Sequence, residues 1–214
     1  MFIMGISTYI SLRKYNFTYS HATLRKIVKR TVVIFCIGLF LNLLAKSVFT
    51  HHLNFEELRY LGVMQRLAIG YGVTSLVAIT VKHKYFPAII LVTLAVYFLL
   101  LAMGDGFNLS ATNIVARFDV WALGTSHMYH DGGMAFDPEG LLSTLPAVCH
   151  VMVGFYCGKL LFSAKDNDEK IQRLFLVGTI LTFAGFLLSY GCPINKKVWS
   201  PTFVIITCGL ASSF

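Results

Sequence analysis

Five apolar runs, residues 31–49, 63–81, 86–103, 138–162 and 174–190, set the terms on which this chain can fold. Each holds roughly 17–25 residues, the length a helix needs to cross a hydrocarbon core about 30 Å thick. In lipid no backbone N–H or C=O can go without a partner, so only helices and closed barrels span it. These runs are long and do not alternate apolar with polar, so they read as helices. Shorter apolar stretches at 2–12 and 201–214 supply partial spans. The first makes only about 18 Å of helix. Arg13 and Lys14 follow it, whereas a cleavable signal carries its charge in front. The expected fold is all-α, a polytopic transmembrane helix bundle of about five full spans and two partial ones, in one domain over 1–214. Both ends fall inside apolar stretches, so the chain reads as a fragment of a larger bundle.

Composition enters as a check. Of 214 residues, 56% are hydrophobic and 13% charged, whereas soluble domains carry roughly 25% charged residues. That is too little charge to cover a globular surface, which excludes an ordinary soluble enzyme, a disordered chain and a coiled coil. A net charge of +8 invites a nucleic-acid reading, but binding of that kind needs a solvated basic face. Here the cations sit between apolar runs, so the expected partner is membrane lipid and not nucleic acid. The loops on one side hold twelve Lys and Arg against three acids, and the other side six against seven. By the positive-inside rule the first side is cytoplasmic. The five cysteines form no CxxC pair; Cys36, Cys149, Cys157 and Cys208 read as small packing residues and Cys192 as a loop residue.

The external side carries the candidate chemistry. The loop 104–137 is long for a connection without obvious structure, which marks it as functional, and Trp121, His127, Tyr129 and His130 argue against disorder. Asn108-Leu109-Ser110 is a glycosylation sequon on that side, meaningful only in a eukaryote. Asp137-Pro138-Glu139-Gly140 has the cap, proline and early acid of a helix start, so the fourth span is expected to open there with Asp137 as its cap. Glu139, at or below the interface, needs a partner, and Arg66 at the head of the second span is the expected one. A snorkelling Arg66 is the plainer alternative. Gln65 and Arg66 point about 100° apart on a helix, so one of them faces the bundle or a neighbour. Glu139, Ser143 and His150 would form one polar stripe if the helix ran unbroken. Asn195 and Lys196, just ahead of a helix start, suit an anionic or sugar ligand, and Trp199 fits the aromatic belt. His127 with His130 and Asp131 has metal-like spacing, which His51, His52, Glu56 and Glu57 would complete, but the pattern is weak and no metal is expected.

Several segments resemble one family. Phe2-Ile3-Met4-Gly5-Ile6-Ser7, Gly62-Val63-Met64-Gln65-Arg66-Leu67, Asp137-Pro138-Glu139-Gly140-Leu141-Leu142-Ser143-Thr144, Gly154 with Gly158-Lys159, and Asn195-Lys196-Lys197-Val198-Trp199-Ser200 occur in order and at matching separations. Together they resemble the heparan-alpha-glucosaminide N-acetyltransferase family and its bacterial relatives, polytopic membrane acyltransferases. The resemblance implies acetyl-CoA as co-substrate on the cytoplasmic side and a glucosamine amine or glycan acceptor on the periplasmic or lumenal side. It implies a bacterial inner membrane, or a lysosomal one in a eukaryote. His127 and Tyr129 match the family's His-x-Tyr. The catalytic His of the family precedes the Phe-Ile-Met-Gly motif, so no residue here matches it, no catalytic residue is assigned, and the fragment is expected to be inactive. The expected pocket comprises Gln65, Arg66, His127, Tyr129, Asp137, Glu139, Ser143, Asn195, Lys196 and Trp199, with Arg66–Glu139 as the buried pair that fixes a wet cavity. A transporter or carrier with a polar intramembrane path is the alternative function. Oligomeric state stays open, a homodimer included; Gly154 and Gly158 have helix-dimer spacing but also suit internal packing.

Overall fold

A computed structural model describes residues 1–50, 55 and 58–214. Eight α-helices follow in order among them: α1 (Phe2–Arg13), α2 (His21–Thr50), α3 (Val63–Thr80), α4 (Phe86–Met103), α5 (Ile114–Leu123), α6 (Thr144–Ser163), α7 (Asn167–Leu188) and α8 (Pro201–Ser213). Helices α2, α3, α4, α6 and α7 are long and apolar enough to cross a membrane. The chain is an all-α polytopic bundle. The expected partial spans are the short helices α1 and α8.

Helix α6 is the axis. Its residues Pro146–Cys149, Val151, Phe155 and Cys157 are buried, and α1, α3, α4, α7 and α8 pack around it. Glycines let α1 lie against α6 with backbones almost touching. A Cβ added at Gly5 would fall 2.1 Å from the Val151 carbonyl oxygen, and one at Gly154 2.0 Å from that of Phe2. Gly158 meets Tyr9 and Ile6 of α1 in the same way. The Gly154/Gly158 pair thus serves packing inside the chain. Helices α7 and α8 meet likewise at Gly178 and Gly209. Helices α2 and α7 present apolar side chains outward, among them Phe40, Leu44, Phe183 and Leu187, as lipid-facing helices do.

The turn between α1 and α2, the α3–α4 turn and the end of α6 share one end of the bundle. There Tyr9, Phe17, His83 and Phe155 form a ring cluster, surrounded by the basic loops. The long loop, the 191–200 turn and the head of α6 lie at the opposite end.

The loop 104–137 is not unstructured. Asn113 caps α5 by accepting from the Val115 and Ala116 amides at 2.8 and 3.3 Å, and Val115 and Ala116 pack with Tyr97, Leu101 and Phe136. Gly132 and Gly133, at φ 59° and 84°, make the two-residue turn of a hairpin between β1 (His130–Asp131) and β2 (Met134–Ala135), a turn whose left-handed residues favour glycine. The fourth span also departs from expectation: its helix begins at Thr144, not at Pro138. The amides of 139, 141 and 142 are taken by carboxylate side chains, so the backbone turns irregularly before the helix starts. A continuous Glu139–Ser143–His150 stripe on one helix is therefore not formed. Cys192 lies in the connection between α7 and α8, as expected, and is buried there; Cys36, read as a packing residue, is exposed.

Candidate functional site

The segment 137–143 is the hub of the end opposite the basic loops, held by three side chains from three different elements. Arg59, just ahead of α3, grips Asp137 with two nitrogens, Nε to Oδ2 at 2.9 Å and Nη2 to Oδ1 at 2.5 Å, and Nη2 also reaches Glu139 Oε2 at 2.5 Å. Asp137 additionally accepts from the Tyr129 amide at 3.1 Å and the Glu139 amide at 2.9 Å. With four donors on its two oxygens and 1% exposure, it is a saturated structural anchor and not a free base. Burial works against the Arg59 charge, but its bonds and attraction to Asp137 and Glu139 outweigh that and hold its guanidinium above the ordinary range.

Asp119 of α5 holds the next stretch. Its Oδ1 accepts from the Leu141 and Leu142 amides at 2.9 and 3.1 Å. Gly140 is glycine because Asp119 lies against it: a Cβ there would sit 1.8 Å from Oδ2. Burial pushes the Asp119 carboxyl up to about 6, opposed by the two amides.

Arg66 of α3 holds the segment from inside. Its Nη2 donates to the Pro138 oxygen at 2.6 Å, to Ser143 Oγ, and to Gly140 O at 3.4 Å. The guanidinium lies 4.7 Å from the centre of the Trp199 ring, and the His150 ring is 6.2 Å from that of Trp199. Trp199 has φ 53°, a left-handed conformation uncommon for a bulky residue. The Asn195–Ser200 turn fixes it: Ser200 N donates to Asn195 O, and Asn195 N to Ser200 Oγ, both at 2.9 Å.

The expected pocket residues thus fall into two layers. Tyr129, Asp137 and Glu139 form an outer layer around Arg59, whose guanidinium lies 5.3 Å from the Tyr129 ring centre. His127 stacks on Tyr60 at 3.9 Å, and its Nδ1 pairs with Leu58 O at 2.9 Å. Arg66, Ser143 and Trp199 form an inner layer. The expected Arg66–Glu139 pair is not formed. Glu139 pairs with Arg59, and Arg66 Nη2 turns instead to the Pro138 and Gly140 carbonyl oxygens and Ser143 Oγ. Gln65 turns away toward α2, beside Gly38 and Asn42. Asn195 spends its Oδ1 on the Lys197 amide at 2.8 Å; Lys196 is exposed, and Lys197 pairs with Asp131. His51, His52, Glu56 and Glu57 lie outside the described residues.

Sequence reasoning missed Arg59 and Asp119 as organisers of the site. Arg59 lies seven residues before Arg66, outside any apolar run, and Asp119 sits on the buried face of α5, the helix that Asn113 caps.

The basic end has a separate hollow of about 480 Å³, lined among others by Phe17, Thr80, Lys82, His83, Lys84 and Lys159. Three lysines around an aromatic edge offer charge to phosphates and a surface to a flat ring.

No family model matches the chain. It is similar to the mouse (Mus musculus) protein heparan-alpha-glucosaminide N-acetyltransferase, 25% identical over 265 residues. The kinship is distant. The alignment takes in 95% of this chain and 39% of the mouse protein, so the chain spans well under half of that relative. The similarity supports a family relationship at most. Together with five spanning-length helices it fits part of a multi-pass membrane acyltransferase.

Proposed function

We propose that these 214 residues bind and position substrates in a membrane N-acetyltransferase that uses acetyl-CoA to acetylate an amino sugar or glycan. The carrying observation is the similarity to an N-acetyltransferase along 95% of the chain. The two ends of the bundle support a division of labour. Lys82, Lys84 and Lys159 around the basic hollow would hold the phosphates of acetyl-CoA on the cytoplasmic side. Tyr129, Glu139, Lys196 and the Tyr60–His127 stack would meet the sugar on the periplasmic or lumenal side, where directional hydrogen bonds and ring faces suit carbohydrate. By the family resemblance the catalytic histidine would precede the Phe2-Ile3-Met4-Gly5 motif, so none of the histidines here is assigned that role.

The reaction is tested in membranes containing the protein, supplied with glucosamine and with acetyl-CoA labelled in its acetyl group. Label recovered in N-acetylglucosamine supports acetyl transfer by these residues themselves. Saturable acetyl-CoA binding without transfer supports the positioning role assigned above. Neither binding nor transfer ends the reading in favour of a transporter or carrier.

A further inference from the structure

Four side chains near the head of α6 and α3 hold buried nitrogens without a hydrogen-bond partner: Arg66 Nε and Nη1, Trp199 Nε1, His150 Nδ1 and Gln65 Nε2. Gln65 belongs to the α2 interface. The other three are consecutive neighbours, Arg66 on Trp199 and Trp199 beside His150. Arg66 is 1% and His150 8% exposed. A buried donor without an acceptor is costly, and more so in an arginine, whose guanidinium always carries charge. The acids at this end do not relieve it. Asp137 and Glu139 are held by Arg59; Asp119 gives Oδ1 to the Leu141 and Leu142 amides, and its Oδ2, itself without a partner, lies against Gly140 and makes no bond to Arg66. Arg66 is not free to swing toward an acceptor, because Nη2 is fixed on Pro138, Gly140 and Ser143. Trp199 is fixed by the turn that holds its left-handed backbone. The result is a rigid pair of N–H donors, Arg66 and Trp199, one of them cationic, shielded from water and lacking an oxygen, with the His150 ring beside them.

We propose that Arg66 and Trp199 receive the carbonyl oxygen of the acyl group being transferred. This rests on the acyl-transfer reading above and assigns that site a catalytic contact. The amine lone pair of the acceptor forms the new C–N bond, and the C=O π pair moves onto oxygen, where Arg66 and Trp199 hydrogen-bond the developing charge. Collapse restores C=O and breaks C–S. The thiolate of CoA leaves and becomes the thiol, balanced by the proton that the amine gives up. Donors already in place where charge develops need no reorganisation at the moment of reaction, which is the basis of oxyanion stabilisation.

The test reads the bound ligand and needs no turnover. Purified protein is saturated with acetyl-CoA, with and without carbon-13 at the acetyl carbonyl, and the difference infrared spectrum isolates that carbonyl. The expected result is a band at lower wavenumber than for free acetyl-CoA. In W199F, which keeps an aromatic ring on Arg66 but removes the N–H, part of that shift is lost. R66K keeps the charge and a donor for the Pro138 oxygen, and it too loses part of the shift. Both variants still bind acetyl-CoA, because the phosphates are held at the other end, and every spectrum is recorded at saturating ligand. A bound carbonyl at the free-ligand frequency, or a shift unchanged in both variants, overturns the proposal and leaves the acyltransferase reading standing. No acetyl-CoA binding by the wild type overturns both.

Discussion

Arg59 and Asp137 form a two-pronged ion pair at 2.9 and 2.5 Å that joins the entry to α3 to the segment before α6, 78 residues later in the chain. Together with Asp119, which takes the Leu141 and Leu142 amides, it holds residues 137–143 outside the helix.

Replacing Arg59 by alanine leaves the Asp137 carboxylate buried with only two backbone amides. Breaking a dry ion pair from one side costs about 3–5 kcal/mol. The Arg59 side chain is 28% exposed, so the expected loss is about 2–3 kcal/mol, read as a lowered unfolding midpoint in detergent. D137N should cost at least as much, since each Asp137 oxygen accepts from one backbone amide and from Arg59, and an NH2 in place of either one faces two donors; a variant as stable as wild type at Arg59 would remove the pair from the account.

Asp119 makes stability depend on pH in the direction opposite to most carboxylates. Its pKa of about 6 lies above the unfolded value, so between about pH 4 and 6 the folded state binds more protons than the unfolded one. The contribution is present in full below about pH 4 and is lost as pH rises through 6, on the order of 2–3 kcal/mol in all. D119N keeps an oxygen for the Leu141 and Leu142 amides and titrates nowhere in this range. Thermal unfolding at pH 4.5, 5.5 and 7 should therefore show wild type gaining on D119N as the pH falls. Parallel profiles would contradict the assignment.

The α1–α6 contact predicts intolerance of one methyl group. Gly154→Ala would place carbon 2.0 Å from the Phe2 oxygen, and backbone cannot yield as a side chain can. A loss of about 3 kcal/mol, the upper range for overpacking, is expected in unfolding midpoint. Gly191→Ala, where nothing lies within 4 Å, should change little and serves as the comparison.

At the basic end, K82Q, K84Q and K159Q should each weaken acetyl-CoA binding by about two- to fivefold, since exposed charge pairs contribute up to about 1 kcal/mol. Raising the salt concentration should shrink the differences, as screening requires. Titrations that are insensitive to all three lysines would move the phosphates elsewhere.

Much of the fold was legible because lipid imposes one rule on the backbone, and the apolar runs 63–81 and 86–103 coincide with α3 and α4 to within a residue. The run 31–49 lies inside a longer α2, whose first turns are the basic stretch around Arg25 and Lys29 and so fell outside a purely apolar reading. The site was less legible. Arg66, Ser143 and Trp199 came together, but Glu139 went to Arg59, because pairing across 80 residues is decided by the path of the backbone and not by interface depth alone. The helix start at Pro138 failed for the same cause: its cap, proline and acid are good local signals, yet the Arg59 and Asp119 side chains take those groups from outside the segment.

The claim on which the rest depends is that this bundle binds an acyl-CoA. Unfolding of the purified protein, followed against temperature at rising acetyl-CoA concentration, tests it most directly. The account predicts a midpoint that climbs with concentration, as mass action demands of a ligand that binds only the folded state, with a smaller rise in K82Q. A midpoint that stays flat at millimolar acetyl-CoA would contradict it.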